Sequence, residues 1–156
     1  MDTKKELERA KAIAYRMLAV RWRSTGEIIR KLKTKGIAPL IIEQTIAQLS
    51  EYEYLNDNRF ARLWVENRNR LKPMGKRRLQ QELAEKGVST QIIGQILSEI
   101  ESGDEETLAR SLVEKKLIRN GELNQKKMEQ FLLRRGFSPG VVRKVLEKSR
   151  DMYLDT

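Results

Sequence analysis

The chain has no cysteine and no histidine among its 156 residues. That excludes a disulfide framework, a thiol nucleophile, an iron–sulfur or zinc-finger ligand set and any histidine-based triad. Acid–base catalysis would have to rest on carboxylates, Lys or Tyr. Prolines number three (Pro39, Pro73 and Pro139) and aromatics make up 6%. No stretch approaches the roughly 18 consecutive apolar residues of a membrane helix. The first apolar stretch, Ala10 to Val20, is broken by Lys11 and Arg16, which does not suit a signal-peptide core. A cytoplasmic protein is expected.

What is present is charge and helix-forming character. Thirty-two Lys and Arg face 22 Asp and Glu, a net charge of +10. This favours a polyanionic partner or one with an acidic surface. Leu, Glu, Lys, Arg, Gln and Ala dominate, all good helix formers. Apolar residues recur at three- and four-residue spacing without sustained alternation. The expected fold is all-α.

An internal repeat organises the chain. Gly36, Gly87 and Gly136 end similar amphipathic segments. Four residues before them stand Leu32, Leu83 and Leu132, and eight before stand Ile28, Leu79 and Met128. Ile41–Ile42, Ile92–Ile93 and Val141–Val142 follow at a common distance, then Ile46, Leu97 and Leu146. A period near 50 residues marks a repeat architecture. Each glycine sits where a helix needs a left-handed terminal residue, with Lys or Arg before it and an apolar residue after it to pack back. Helices are expected over 4–22, 25–35 and 39–51, then 57–71, 76–86 and 90–101, then 104–118, 124–135 and 139–149. Ala14, Ala61 and Ala109 centre the first helix of each set. The chain therefore divides into three-helix repeats over 1–56, 57–101 and 102–156. Each is too small to bury a large core alone, so three tandem repeats should stack into an elongated, curved array.

Between the first two repeats, Asn56 or Asp57 is a candidate helix cap, and Tyr52, Tyr54 and Phe60 are expected to form the joint. Trp64 lies on an apolar stripe and should be core. Trp22 is expected to pack beneath the first repeat, the alternative being to stack on a base or a partner side chain. Glu101–Glu106 reads as a turn leading into an acidic first helical turn.

No catalytic constellation is found. Gly75–Lys76 lacks the other elements of a phosphate-binding loop. Asn56–Asp57–Asn58 lacks the spacing and closing glutamate of a calcium loop. Glu82 and Lys86 read as an ordinary i,i+4 surface pair. No enzymatic activity and no cofactor are expected.

The positive charge is uneven. Arg68, Arg70, Lys72, Lys76, Arg77 and Arg78 fall within eleven residues that contain no acid. They straddle Pro73–Gly75 and the start of the next helix, where cations oppose the helix dipole and a bound anion would relieve the cost. A solvated basic face is one reading. An interface is the reading adopted, because the run has one sign, flanks a turn and lies in the middle repeat. Weaker clusters are Arg21, Arg23, Arg30, Lys31, Lys33 and Lys35 in the first repeat, and Arg134, Arg135, Arg143, Lys144, Lys148 and Arg150 in the third. Residues 1–56 carry net +4, residues 57–100 net +4 and residues 101–156 net +2, which points to the first two repeats as the electrostatic footprint.

These residues together resemble the RecX family of RecA regulators. The most specific segment is Tyr54-Leu55-Asn56-Asp57-Asn58-Arg59-Phe60-Ala61, followed by the basic loop and Gln81-Glu82-Leu83. Ser24 to Gly36 resembles the family's first repeat, and Phe131 to Ser138 its third. Glu53 stands where the family usually has glycine, and Ile37 where Phe is common. The resemblance implies three tandem three-helix repeats. It implies a protein that binds the RecA–single-stranded DNA filament in its groove and reduces ATP hydrolysis, strand exchange and co-protease activity. A monomer with no membrane partner is expected, with weak affinity for single-stranded DNA on its own. The competing expectations are a helix-turn-helix regulator that reads duplex DNA, or a general nucleic-acid-binding repeat protein acting without RecA. The first of these is weakened because segments 39–51 and 90–101 carry almost no basic residues.

Overall fold

The computed structural model describes the backbone of residues 2–121 and 124–154. Among them are nine α-helices and no strand: α1 (Thr3–Val20), α2 (Thr25–Thr34), α3 (Pro39–Glu51), α4 (Asp57–Leu71), α5 (Lys76–Glu85), α6 (Thr90–Ser98), α7 (Ser102–Asn120), α8 (Gln125–Arg134) and α9 (Pro139–Leu154). The fold is all-α, as the periodicity requires. Small departures have local causes. α1 stops at Val20 because Arg21 swings to extended backbone, φ −163°, so that Ser24 can start α2. Its hydroxyl accepts from the Glu27 N–H while the Glu27 carboxylate accepts from the Ser24 N–H, a reciprocal capping box. At the next entry the cap is Asn56, whose Oδ1 accepts from the Arg59 N–H (3.1 Å).

The three repeat glycines close their helices in one way. Gly36, Gly87 and Gly136 have φ of 75°, 79° and 89°. Each donates its N–H three residues back, and the following residue donates five back: Ile37 to Leu32, Val88 to Leu83, Phe137 to Leu132. This is the Schellman closure, and it needs a left-handed residue that only glycine adopts without strain. The apolar residue that follows is buried in all three cases. The end of α3 uses the same closure with Glu53 in the glycine place, at φ 61°.

Three hydrophobic cores follow the chain. One gathers Ala10, Ala14, Ile28, Leu32, Ile37, Ile41, Ile42, Leu49 and Leu55. The second runs from Phe60 to Leu97 and the third from Ala109 to Val145. Ala14, Ala61 and Ala109 are wholly buried, where a larger side chain would hold the neighbouring helices apart. The extensive helix–helix contacts lie inside the sets: α1 with α2 and α3, α4 with α5 and α6, and α7 and α8 with α9. The accessible surface is 10115 Å², against about 8,100 Å² for a compact monomer of this mass. The molecule is accordingly extended.

The sets are joined by glycine, not by the aromatics expected there. Tyr52 and Tyr54 are exposed, and Phe60 belongs to the second core. At the first joint the start of α2 sits on the end of α5. Gly26 meets Gly87 so closely that a Cβ on Gly26 would lie 2.7 Å from the Lys86 carbonyl oxygen. Ser24, fully buried, donates its hydroxyl to that same carbonyl. The Thr25 N–H donates to the Asp57 carboxylate (2.8 Å). The second joint repeats the plan one set later. Gly75 packs on Gly136 and Phe137. The Gly75 and Arg77 N–H groups donate to the carbonyls of Arg135 (2.8 Å) and Gly136 (3.2 Å), and Lys76 N–H reaches the buried Glu105 (3.4 Å). The start of α8 has Asn124 and Lys126 where the joints use glycine, so it is not shaped to receive a third such contact.

Candidate functional site

The second joint decides the geometry of the densest basic run. The first-turn amides of α5 are occupied by Arg135, Gly136 and Glu105. No free anion is needed to relieve the helix start, as the dipole argument had required. The protein supplies those acceptors itself. Arg78 donates to the Arg134 carbonyl (3.1 Å), and Arg135 donates back to the Pro73 carbonyl (2.9 Å). Arg77, Arg78, Arg134 and Arg135 are thereby gathered at one joint, although the two pairs lie more than fifty residues apart in sequence. Burial, and then the positive charge of Arg78, push the Arg135 guanidinium below its ordinary value. The fold holds these cations together against their repulsion, the kind of cost associated with functional sites.

The remaining residues of the run divide into engaged and open groups. Arg68 makes a two-pronged ion pair with Glu82 (3.0 Å on both prongs) and lies over the Trp64 ring. Glu82 also accepts from Trp64 Nε1 (3.1 Å). Glu82 therefore does not pair with Lys86 as its spacing suggested. Lys86 turns instead to Glu27 across the first joint (3.9 Å). Arg70, Lys72 and Arg77 are exposed, and Lys76 is half-buried. Arg70 bonds only its neighbour Asn67 (3.0 Å).

In the first set, Arg21 and Arg23 converge on Glu27. Burial alone would raise the Glu27 pKa. The Arg21 hydrogen bond, the Ser24 N–H and the charges of Arg21 and Lys86 outweigh it and hold the carboxyl below its ordinary value. Arg23, Lys31 and Lys35 line a shallow groove of about 310 Å³ together with Arg16, Ile13, Met17 and Val20. Arg16 was not assigned to a basic cluster in the sequence, because the apolar stretch Met17–Val20 separates it from Arg21. Arg30, Lys31 and Lys35 are exposed on α2 or its end, and Arg134 is exposed on α8. Three open basic surfaces result: the α1–α2 groove, the Arg70–Arg77 loop and the Arg134 side of the second joint.

Asn56–Asp57–Asn58 is accounted for by folding. Asn56 caps α4, Asp57 ties the first joint, and Asn58 accepts from Arg62 (3.0 Å). No helix among the described residues is long and apolar enough to cross a membrane.

Comparison with known proteins places this arrangement. Three family models match in series: RecX, first three-helix domain, over residues 10–49; the second three-helix domain over 56–97; and the third over 104–146. The chain is 31% identical over 150 residues to the regulatory protein RecX of Amycolatopsis mediterranei, covering 94% of this chain and 86% of that protein. It is 34% identical over 136 residues to the regulatory protein RecX of Chlorobium phaeobacteroides, covering 87% and 90%. In fold it is similar to the crystal structure of RecX from Lactobacillus salivarius, with a TM-score of 0.83 at 21% identity, covering 93% of this chain and 97% of that one. Three matched repeats in order, joined as described, show that the chain belongs to the RecX family of regulatory proteins.

Proposed function

We propose that this protein is a non-enzymatic regulator that binds the RecA–single-stranded DNA filament and lowers RecA's ATP hydrolysis, strand exchange and co-protease activity. It thereby tempers recombination, DNA repair and the SOS response in the cytoplasm, acting as a monomer without a cofactor. Membership of the family supports the regulatory role. The observation that carries the reading to a polyanionic filament is the gathering of Arg77, Arg78, Arg134 and Arg135 at the second joint, beside the open Arg70–Lys72 loop. An extended array with several basic surfaces can touch several filament subunits at once, and linked weak contacts gain through effective concentration.

The test uses preformed RecA filaments on single-stranded DNA with ATP hydrolysis as readout. Wild-type protein in excess should suppress hydrolysis. Reversal of Arg70, Lys72 and Arg77 to Glu should weaken suppression at least tenfold while leaving the helical circular dichroism unchanged. Arg68 is left out of that set because its loss would strand Glu82. No suppression by the wild type would sink the reading; unchanged suppression by the triple variant would move the contact off this loop. Stronger binding to bare DNA than to RecA-coated DNA would favour a nucleic-acid-binding role independent of RecA.

A further inference from the structure

The scarce aromatics are not all used in folding. Phe60 and Phe137 are buried, and Phe131 and Trp64 are partly buried. Among the described residues Tyr15, Trp22, Tyr52 and Tyr54 are exposed, and all four belong to the first repeat or the turn that ends it. Trp22 does not pack beneath that repeat. It is 49% exposed, and Tyr54 is 50% exposed. The repeat does not require an aromatic there, since Pro73 holds the equivalent place in the second repeat. Trp22 and Tyr54 flank an open cleft of about 410 Å³, lined otherwise by Leu18, Val20, Arg21 and Glu53. That volume is within the roughly 300–1,000 Å³ of small-ligand clefts.

The rings are held in place from outside the cleft. The Arg59 guanidinium lies 4.6 Å from the Trp22 ring centroid and is anchored by donating to the Glu53 carbonyl (3.0 Å). Arg59 forms no ion pair with a carboxylate among the described residues, and its Nε is buried without a hydrogen-bond partner. Tyr54 meets Tyr15 edge to face, 5.4 Å between centroids at 75°. The backbone of Glu53 is itself in the left-handed region, which turns the chain so that Tyr54 follows at the rim.

We propose that this cleft is a stacking platform for an unstacked base of single-stranded DNA, with Trp22 and Tyr54 supplying the π faces and the unpaired Arg59 the charge for a flanking phosphate. Arg59 has no carboxylate partner among the described residues, so an uncompensated cation stands against the Trp22 ring and favours an anionic occupant over an apolar protein segment. A nucleotide offers a flat face to the rings and an anion to Arg59, and aromatic stacking with arginine support is how sequence-tolerant single-strand sites are built. The platform rests on the part of the reading above that makes single-stranded DNA a partner, and not on RecA.

The experiment uses the full chain without RecA and two fluorescent 15-mers of equal charge: oligo(dT) and a strand of abasic sites. Fluorescence anisotropy should show wild-type protein binding oligo(dT) about tenfold more tightly, the order of factor that one stacked base supplies. The Trp22→Ala/Tyr54→Ala variant should bind both strands with the affinity that wild type has for the abasic one. Trp22→Phe should keep most of the preference. Unchanged abasic-strand binding by the double variant shows that it is folded and its basic surfaces are intact. Equal wild-type affinity for the two strands would overturn the platform, as would a preference that survives in the double variant. Loss of filament inhibition in the double variant, with no base preference in the wild type, would make the cleft a protein-docking surface and also overturn it. A base preference without any effect on RecA filaments would leave the platform standing and refute the RecA reading instead.

Discussion

Replacing Gly26 with alanine separates local helix physics from the physics of the joint, because the two predict opposite signs. Gly26 is the second residue of α2, and alanine inside a helix is better than glycine by about 0.8–1.0 kcal/mol. On local grounds the variant should be more stable. In the folded chain, however, the new Cβ would lie 2.7 Å from the Lys86 carbonyl oxygen and 2.8 Å from the Gly87 Cα. Both are backbone atoms, and both belong to a helix end pinned by the Gly87–Ala84 and Val88–Leu83 hydrogen bonds. Neither can rotate away, so the joint itself must open. Forcing a methyl group into a packed contact costs about 1–3 kcal/mol. Opening also weakens the Ser24–Lys86 and Thr25–Asp57 hydrogen bonds, each worth about 1 kcal/mol. After subtracting the helix gain, Gly26→Ala should be destabilising by about 2 kcal/mol. Gly94→Ala is the control. That glycine lies inside α6 with nothing within 4 Å of where the alanine methyl would sit, so it should show the stabilising helix effect alone. Urea unfolding followed by circular dichroism gives both numbers, and small-angle scattering should show a larger radius of gyration for the Gly26 variant only. If Gly26→Ala raised stability as much as Gly94→Ala, the close glycine joint would be refuted.

Glu27→Gln should remove a part of the acid sensitivity. The Glu27 pKa is lowered in the folded chain from its ordinary 4.5, so its contribution is complete above that value and is lost as pH falls through the folded pKa. The wild type should therefore be more stable than the variant at neutral pH, and the gap should close below pH about 4.5 in urea titrations. A gap that stayed constant with pH would contradict the pairing. Glu53→Gly should stabilise. A left-handed non-glycine residue costs about 1–2 kcal/mol, and glycine returns about 0.5–1 kcal/mol of that in unfolded-state entropy. A net gain of about 0.5–1 kcal/mol is expected from the same unfolding measurement, and a loss would show that the turn is not strained.

Much of this protein was readable without a structure, because the determining interactions are local. A glycine preceded by Leu at four residues and followed by an apolar residue specifies a helix stop through bonds that span five residues. The same pattern at Leu32–Gly36–Ile37, Leu83–Gly87–Val88 and Leu132–Gly136–Phe137 sufficed to define three repeats. What periodicity cannot report is which repeat surfaces meet. Gly26 and Gly87, or Gly75 and Gly136, are each 61 residues apart, and nothing near either partner marks the pairing. The joints therefore escaped the sequence, and with them the division of the basic residues. Arg68, Arg78 and Arg135 look the same in sequence as Arg70, Lys72 and Arg77. Only the tertiary structure shows that the first three hold carboxylates or carbonyls in place while the others face solvent. The exposure of Trp22 was decided in the same way. A tryptophan between two arginines at a helix end can turn either inward or outward, and it is the extended Arg21–Ser24 segment and Arg59 from α4 that set it at the rim.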